Sequence, residues 1–158
     1  MTDFKALIRR LHENSVDFIV VGGFAGTVHG ATRLTVDLDI VYSRTQENIE
    51  NLTRALDGLD PYLRGAPPGL PFKFDAPTVL RGCNFTLTTA AGALDLLGVV
   101  TGGGAYEELV DHSELVDVFG CEIRCLSLSK LIEVKRAAGR PKDFEAIAEL
   151  ERLAEEQS

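Results

Sequence analysis

Residues 20–42 read VVGGFAGTVHGATRLTVDLDIVY, and the two ends of this stretch call for a joint explanation. The front is a β-branched run that stops at Gly22-Gly23; the back sets Asp37 and Asp39 on either side of a single leucine. Residues 33–40 alternate, so an extended strand would carry Arg33, Thr35, Asp37 and Asp39 on one face and Leu34, Val36, Leu38 and Ile40 on the other. The apolar face belongs in a core. The opposite face holds two carboxylates roughly 6–7 Å apart at Cβ, from the strand rise. Anions that close repel unless a cation lies between them. Mg²⁺ suits the position, because it takes one or two carboxylates and completes its shell with water and phosphate oxygens. Acids also occur on a strand's solvent face without any such role, so the tripeptide needs support from elsewhere.

Gly22-Gly23 supplies some. Glycine lets main-chain N–H groups approach a phosphate, and a helix N-terminus adds partial positive charge. "GFAGTVHG" reads as that short helix, with Gly30 as its terminator. Glycines also end strands for purely local reasons. A dinucleotide fingerprint is excluded: Gly23 and Gly26 match its second half, but Val21 stands where its first glycine belongs. The acids also come sooner than the ~20 residues that motif requires.

Working outward, "VDFIVVG" (16–22) is a short buried strand. Before it, Phe4, Leu7, Ile8 and Leu11 fall on one face of a helix that Thr2 can cap. After it, Ile49, Leu52, Leu56 and Leu59 keep helical spacing behind a run of capping hydroxyls. Residues 60–78 hold all but one of the prolines and read as a long loop, a candidate lid or substrate-contacting segment. "NFTLTTAAGALDLLGVV" is a hairpin turning at Ala90-Ala91-Gly92, and "LVDVFGCEIRCLS" another about Phe119-Gly120. The remainder forms two helices split at Gly139-Arg140-Pro141. The expectation is a single α/β (α+β) domain over residues 1–158, with a core of about 1–125 and a helical pair of about 127–157.

Asp95 is the only charge in its apolar strand, which is costly to bury unless the carboxylate is paired or metal-bound. It is therefore a candidate third ligand or base; the other reading has it facing water near the hairpin turn. The net charge of −8 excludes a generally basic, polyanion-coating protein. Even so, Arg124, Lys130, Lys135, Arg136, Arg140 and Lys142 cluster between 121 and 142, against Glu122 and Glu133. Lys135 is nearer the helix break than Lys130, and Arg140 and Lys142 flank the start of the next helix, so these three could hold nucleotide phosphate or an RNA acceptor; bases at a helix C-terminus also complement its dipole. His29 reads as structural, and Arg33 as a candidate neutraliser of the acid face. Cys83, Cys121 and Cys125 form no C-x-x-C pair and fit reduced thiols in a cytoplasm. No apolar run approaches the ~20 residues of a membrane helix, and the N-terminus is amphipathic and mixed in charge, unlike a signal peptide.

"VGG" followed by "DLD", with a later lone aspartate in a strand, resembles the nucleotidyltransferase fold of the DNA polymerase beta superfamily. Together with "LSLSKLIEVKRAAGRPKDFEAI", the chain looks like the AbiEii/AbiGii-type toxin nucleotidyltransferases and their minimal relatives. The resemblance implies a mixed β-sheet flanked by helices. It further implies that Asp37 and Asp39 hold two Mg²⁺ ions, and that Asp95 shares the second and helps deprotonate an acceptor hydroxyl. Gly22 and Gly23 would hold the triphosphate of an NTP. Implied partners are that NTP, a tRNA or protein acceptor, and a cognate toxin or antitoxin. A second reading is a non-catalytic nucleotide- or protein-binding module of the same fold. One departure is Gly23, where many members carry serine; only its backbone can meet a phosphate.

Overall fold

The computed structural model describes residues 1–157. In chain order the elements are α1 (Phe4–Glu13), β1 (Phe18–Val21), α2 (Gly22–Val28), β2 (Asp37–Tyr42), α3 (Gln46–Ala55), β3 (Tyr62–Leu63), α4 (Ala76–Arg81), β4 (Phe85–Thr89) and β5 (Gly92–Leu97). They continue with β6 (Val99–Val100), β7 (Gly104–Ala105), α5 (Tyr106–Leu109), β8 (Ser113–Val118), β9 (Cys121–Leu126), α6 (Leu128–Ala138) and α7 (Phe144–Gln157). Single 3-10 turns at Val110–His112 and Pro141–Asp143 precede β8 and α7.

Every residue of β1 is buried, as a strand covered on both faces requires. It lies inside a seven-stranded mixed sheet of order β3-β4-β5-β2-β1-β9-β8, with β6 and β7 forming a separate small pair. β2 runs antiparallel to β1 and parallel to β5, while β9 runs parallel to β1. The two hairpins fall where the turn signals place them, β4–β5 and β8–β9. The C-terminal pair also forms: α6 ends at Gly139 in the left-handed region (φ +66°), and α7 packs back along α6.

Three local expectations need correction. Asp3, not Thr2, caps α1, its carboxylate accepting from the Ala6 N–H at 3.0 Å. The Thr2 hydroxyl instead donates to the Val36 carbonyl and accepts from the Ala93 N–H, tying the approaches to β2 and β5 together. The DLD strand begins only at Asp37, so Leu34 and Val36 are 93% and 68% exposed rather than in the core. The run before Asp37 has strand-like alternation but no neighbour to pair with. Residues 60–78 are also less loop-like than expected, since β3 and the start of α4 lie within them. Phe72 and Phe74 rest edge-on against Tyr62 and Phe85, which anchors the segment.

Candidate active site

Main-chain register assembles the site. Asp39 is the cross-strand partner of Val21 on one side and of Asp95 on the other, so Val21, Asp39 and Asp95 lie abreast on three adjacent strands, with Gly22 at the start of α2 directly after Val21. Asp37 shares the Asp39 face, with the fully buried Leu38 between them pointing into the core. One carboxylate oxygen from each of Asp37, Asp39 and Asp95 lies within 4.8 Å of the others. Asp95 thus faces the other two acids rather than open water.

Confinement strains this cluster electrostatically. Asp39 is pushed up to about 8, first by burial and then by the charges of Asp37 and Asp95. Asp37 is raised as well, again chiefly by burial, with Asp95 adding to the rise and Arg64 opposing it. Asp39 Oδ1 is buried and has no hydrogen-bond partner among the described residues. An orphaned carboxyl oxygen beside two more carboxyl groups is the donor set of a hard divalent cation. The residues present therefore fit the metal that the sequence resemblance implies: Asp37, Asp39 and Asp95 would hold it.

Gly22 is required at its position for two reasons. Its φ of +69° disfavours any side chain, and a Cβ there would come 2.1 Å from Asp39 Oδ2. At Gly23 a Cβ would come 2.8 Å from Thr35 Oγ1, whose hydroxyl donates to the Asp37 carbonyl at 3.2 Å. The space that a serine would need is thus taken by Thr35.

A cavity of about 460 Å³ opens over the acids and the Gly22-Gly23 backbone, and Lys135, Arg140 and Lys142 also line it. Lys135 acts favourably on the charge of Asp39, Arg140 is held by the Asp143 carboxylate at 2.7 Å, and Lys142 lies in the 3-10 turn before α7. A second hollow of about 370 Å³ shares Gly22, Asp39, Lys135 and Arg140 but has an apolar wall of Leu97, Val99, Val100, Leu131 and Val134. Arg33 does not neutralise the acid face as expected; its guanidinium pairs with Glu145 of α7 at 3.2 Å. His29 lies away from the acids, its Nε2 2.8 Å from the Leu126 carbonyl at the end of β9.

The residue that meets the acids instead is Arg64, just after β3. Its Nη2 donates to Asp95 Oδ1 at 2.7 Å and to the Leu87 carbonyl at 2.6 Å, and its Nη1 lies 3.8 Å from Asp37 Oδ2. Sequence reasoning missed it because the proline-rich segment around it offers no periodicity. The available signal was weak: Arg64 is the one arginine of that segment, set among Asp60, Lys73 and Asp75.

Comparison with solved structures supplies the context for this arrangement. A provisionally assigned nucleotidyltransferase from Thermotoga maritima superposes with a TM-score of 0.59 at 16% identity, covering 94% of this chain and 93% of that one. The antibiotic-resistance factor ANT(2'')-Ia gives 0.60 at 14% identity in its solution structure, over 97% of this chain and 81% of the other. Its crystal structure with adenylyl-2''-tobramycin gives 0.57 at 17% identity, over 94% and 83%. The chain has a nucleotidyltransferase-like fold. Comparison with protein families and with curated proteins finds no match, so at these identities the likeness is one of fold. Within a nucleotidyltransferase-like fold the described residues include no helix long and apolar enough to cross a membrane.

Proposed function

We propose that the cleft transfers a nucleoside monophosphate from an NTP to an acceptor hydroxyl. One observation carries this reading. Three carboxylates from two strands converge, with an unsatisfied Asp39 oxygen, beside a glycine pair whose lack of side chains leaves the main chain open to a phosphate. Two Mg²⁺ ions, when bound, would screen the triphosphate and orient it for in-line displacement.

The chain's own groups would divide the remaining work. Asp37 and Asp39 hold the cations, and the Gly22-Gly23 backbone with Lys135, Arg140 and Lys142 balances and positions the triphosphate. Asp95 would take the proton from the acceptor hydroxyl. The acceptor oxygen then bonds to the α-phosphorus as the bond to the bridging oxygen breaks, and pyrophosphate leaves. An RNA or protein hydroxyl is the acceptor class we favour, on the resemblance to toxin nucleotidyltransferases, with a cognate toxin or antitoxin as partner and the cytoplasm as location. The name of the ANT(2'')-Ia complex adds a small-molecule hydroxyl as an outcome to be tested.

A second reading, a binding module without transfer, draws on Arg64, whose guanidinium already pairs two of the three acids. Incubating wild type and Asp39→Asn with each labelled NTP, Mg²⁺, total RNA and cell lysate separates the two. Label incorporated by wild type and lost by orders of magnitude in the variant supports transfer. Equal labelling would remove the aspartates from catalysis; no labelling with retained binding of a partner protein would establish the module.

A further inference from the structure

We infer that Arg64 is a built-in counter-ion that competes with the divalent cation for Asp95 and Asp37, so that loading the metal displaces the guanidinium. The inference rests on the metal site described above and adds to it a residue from outside the acid motif. Arg64 is not a surface arginine that happens to lie nearby. Its main-chain N–H donates to the Thr86 carbonyl at 2.9 Å, extending the β3–β4 ladder, so its Cα is fixed beside the strand that precedes Asp95. From there one side chain reaches Leu87, Asp95 and Asp37, and only 29% of it is exposed. The guanidinium thereby bonds an Asp95 oxygen that a cation held by these acids would need and sets its charge 3.8 Å from Asp37 Oδ2, while Asp39 Oδ1 stays without a partner.

The fit is incomplete in a way that points to exchange. Arg64 Nε is buried and makes no hydrogen bond among the described residues, so the resting pairing leaves a donor of the arginine and an acceptor of Asp39 unmatched. Metal binding would relieve the Asp39 oxygen directly. It would also release the guanidinium from Asp95. Because the main chain of Arg64 is held by Thr86, the exchange needs only side-chain rotation and leaves the sheet in place. The consequence is a site that discriminates against free metal ion. A cation has to outbid an arginine, which it does best when a bound triphosphate supplies further oxygens.

The test uses Mn²⁺ as the probe, with binding to the full chain measured by electron paramagnetic resonance in wild type, Arg64→Gln and Lys142→Ala. The Lys142 variant removes a cavity cation that touches none of the acids and so measures the general charge effect. Arg64→Gln should bind Mn²⁺ about ten- to a hundredfold more tightly than wild type, the scale of a charge-assisted hydrogen bond; Lys142→Ala should change binding by less than about threefold. A second measurement needs no variant. The Arg64 Nε–Hε NMR signal of the wild-type chain should shift during a Mg²⁺ titration with the midpoint of metal binding, while its main-chain amide stays protected.

If metal binds but Arg64→Gln gains no more than Lys142→Ala, or the Nε–Hε signal stays fixed, the competition is refuted and the metal site stands. If neither wild type nor Arg64→Gln binds Mn²⁺ at millimolar concentration, the metal site itself is refuted and the competition with it.

Discussion

Replacing Asp39 by asparagine should stabilise the metal-free protein. A carboxyl whose ordinary value of 3.8 is pushed up to about 8 on folding weakens the fold wherever the unfolded chain would ionise it. The sign follows from proton counting. Below about pH 4 the group is protonated in both states and the fold bears no cost. As pH rises the unfolded state gives up its proton first, so stability falls until the folded group also ionises near pH 8. At pH 7 the loss reaches about 4 kcal/mol, taking about 1.4 kcal/mol for each tenfold difference in proton affinity. Asp37 and Asp95 share this repulsion, so the gain on removing one of the three is about 2–4 kcal/mol. In EDTA at pH 7, Asp39→Asn should therefore melt about 5–15 °C above wild type, and the gap should close at pH 4. Saturating Mg²⁺ should reverse the order, because only wild type has the full ligand set. Scanning calorimetry across pH 4–8, with and without metal, reads all of this. A variant less stable than wild type at pH 7 in EDTA, or a gap that ignores pH, would refute the electrostatic account of the cluster.

Gly22→Ala should cost about 1–3 kcal/mol from backbone strain and displace Asp39 Oδ2, so stabilisation by NTP with Mg²⁺ should vanish in a thermal-shift assay; retained metal-dependent stabilisation would show that the close approach is unimportant. Leu34→Ser should change stability by less than about 0.5 kcal/mol, whereas Leu38→Ala, at a fully buried position, should cost about 2–5 kcal/mol by urea unfolding. Comparable losses at the two positions would mean that the strand starts before Asp37 after all.

Where a residue's place depends on its immediate neighbours, the sequence was a good guide. The apolar spacing of α1 and of α3 as far as its end near Leu56, the hairpin turns and the glycine that ends α6 all report local geometry, and all appear in the structure. The three acids were also legible, because alternation along β2 fixes which side chains share a face, and a single charge in an apolar strand marks Asp95. What failed was the extent of β2. Alternation in Arg33–Val36 is as regular as in Asp37–Ile40, but a strand also needs a partner, and pairing is a property of the sheet rather than of the segment. The same gap hid Arg64. Its role depends on β3 joining the sheet beside β4, and two residues of strand among prolines carry no period to read.

That Val21, Asp39 and Asp95 stand abreast on adjacent strands has a temporal consequence. β5 can join β2 in parallel only after the intervening chain has folded out of the way, and β9 reaches the other side of β1 later still. Distant pairings of this kind bear their loop-closure entropy before they contribute any contact, so they form late. A chain emerging from the ribosome exposes its glycine pair and its first two acids well before Asp95 exists to meet them. The three carboxylates thus cannot come together until β5 has joined β2.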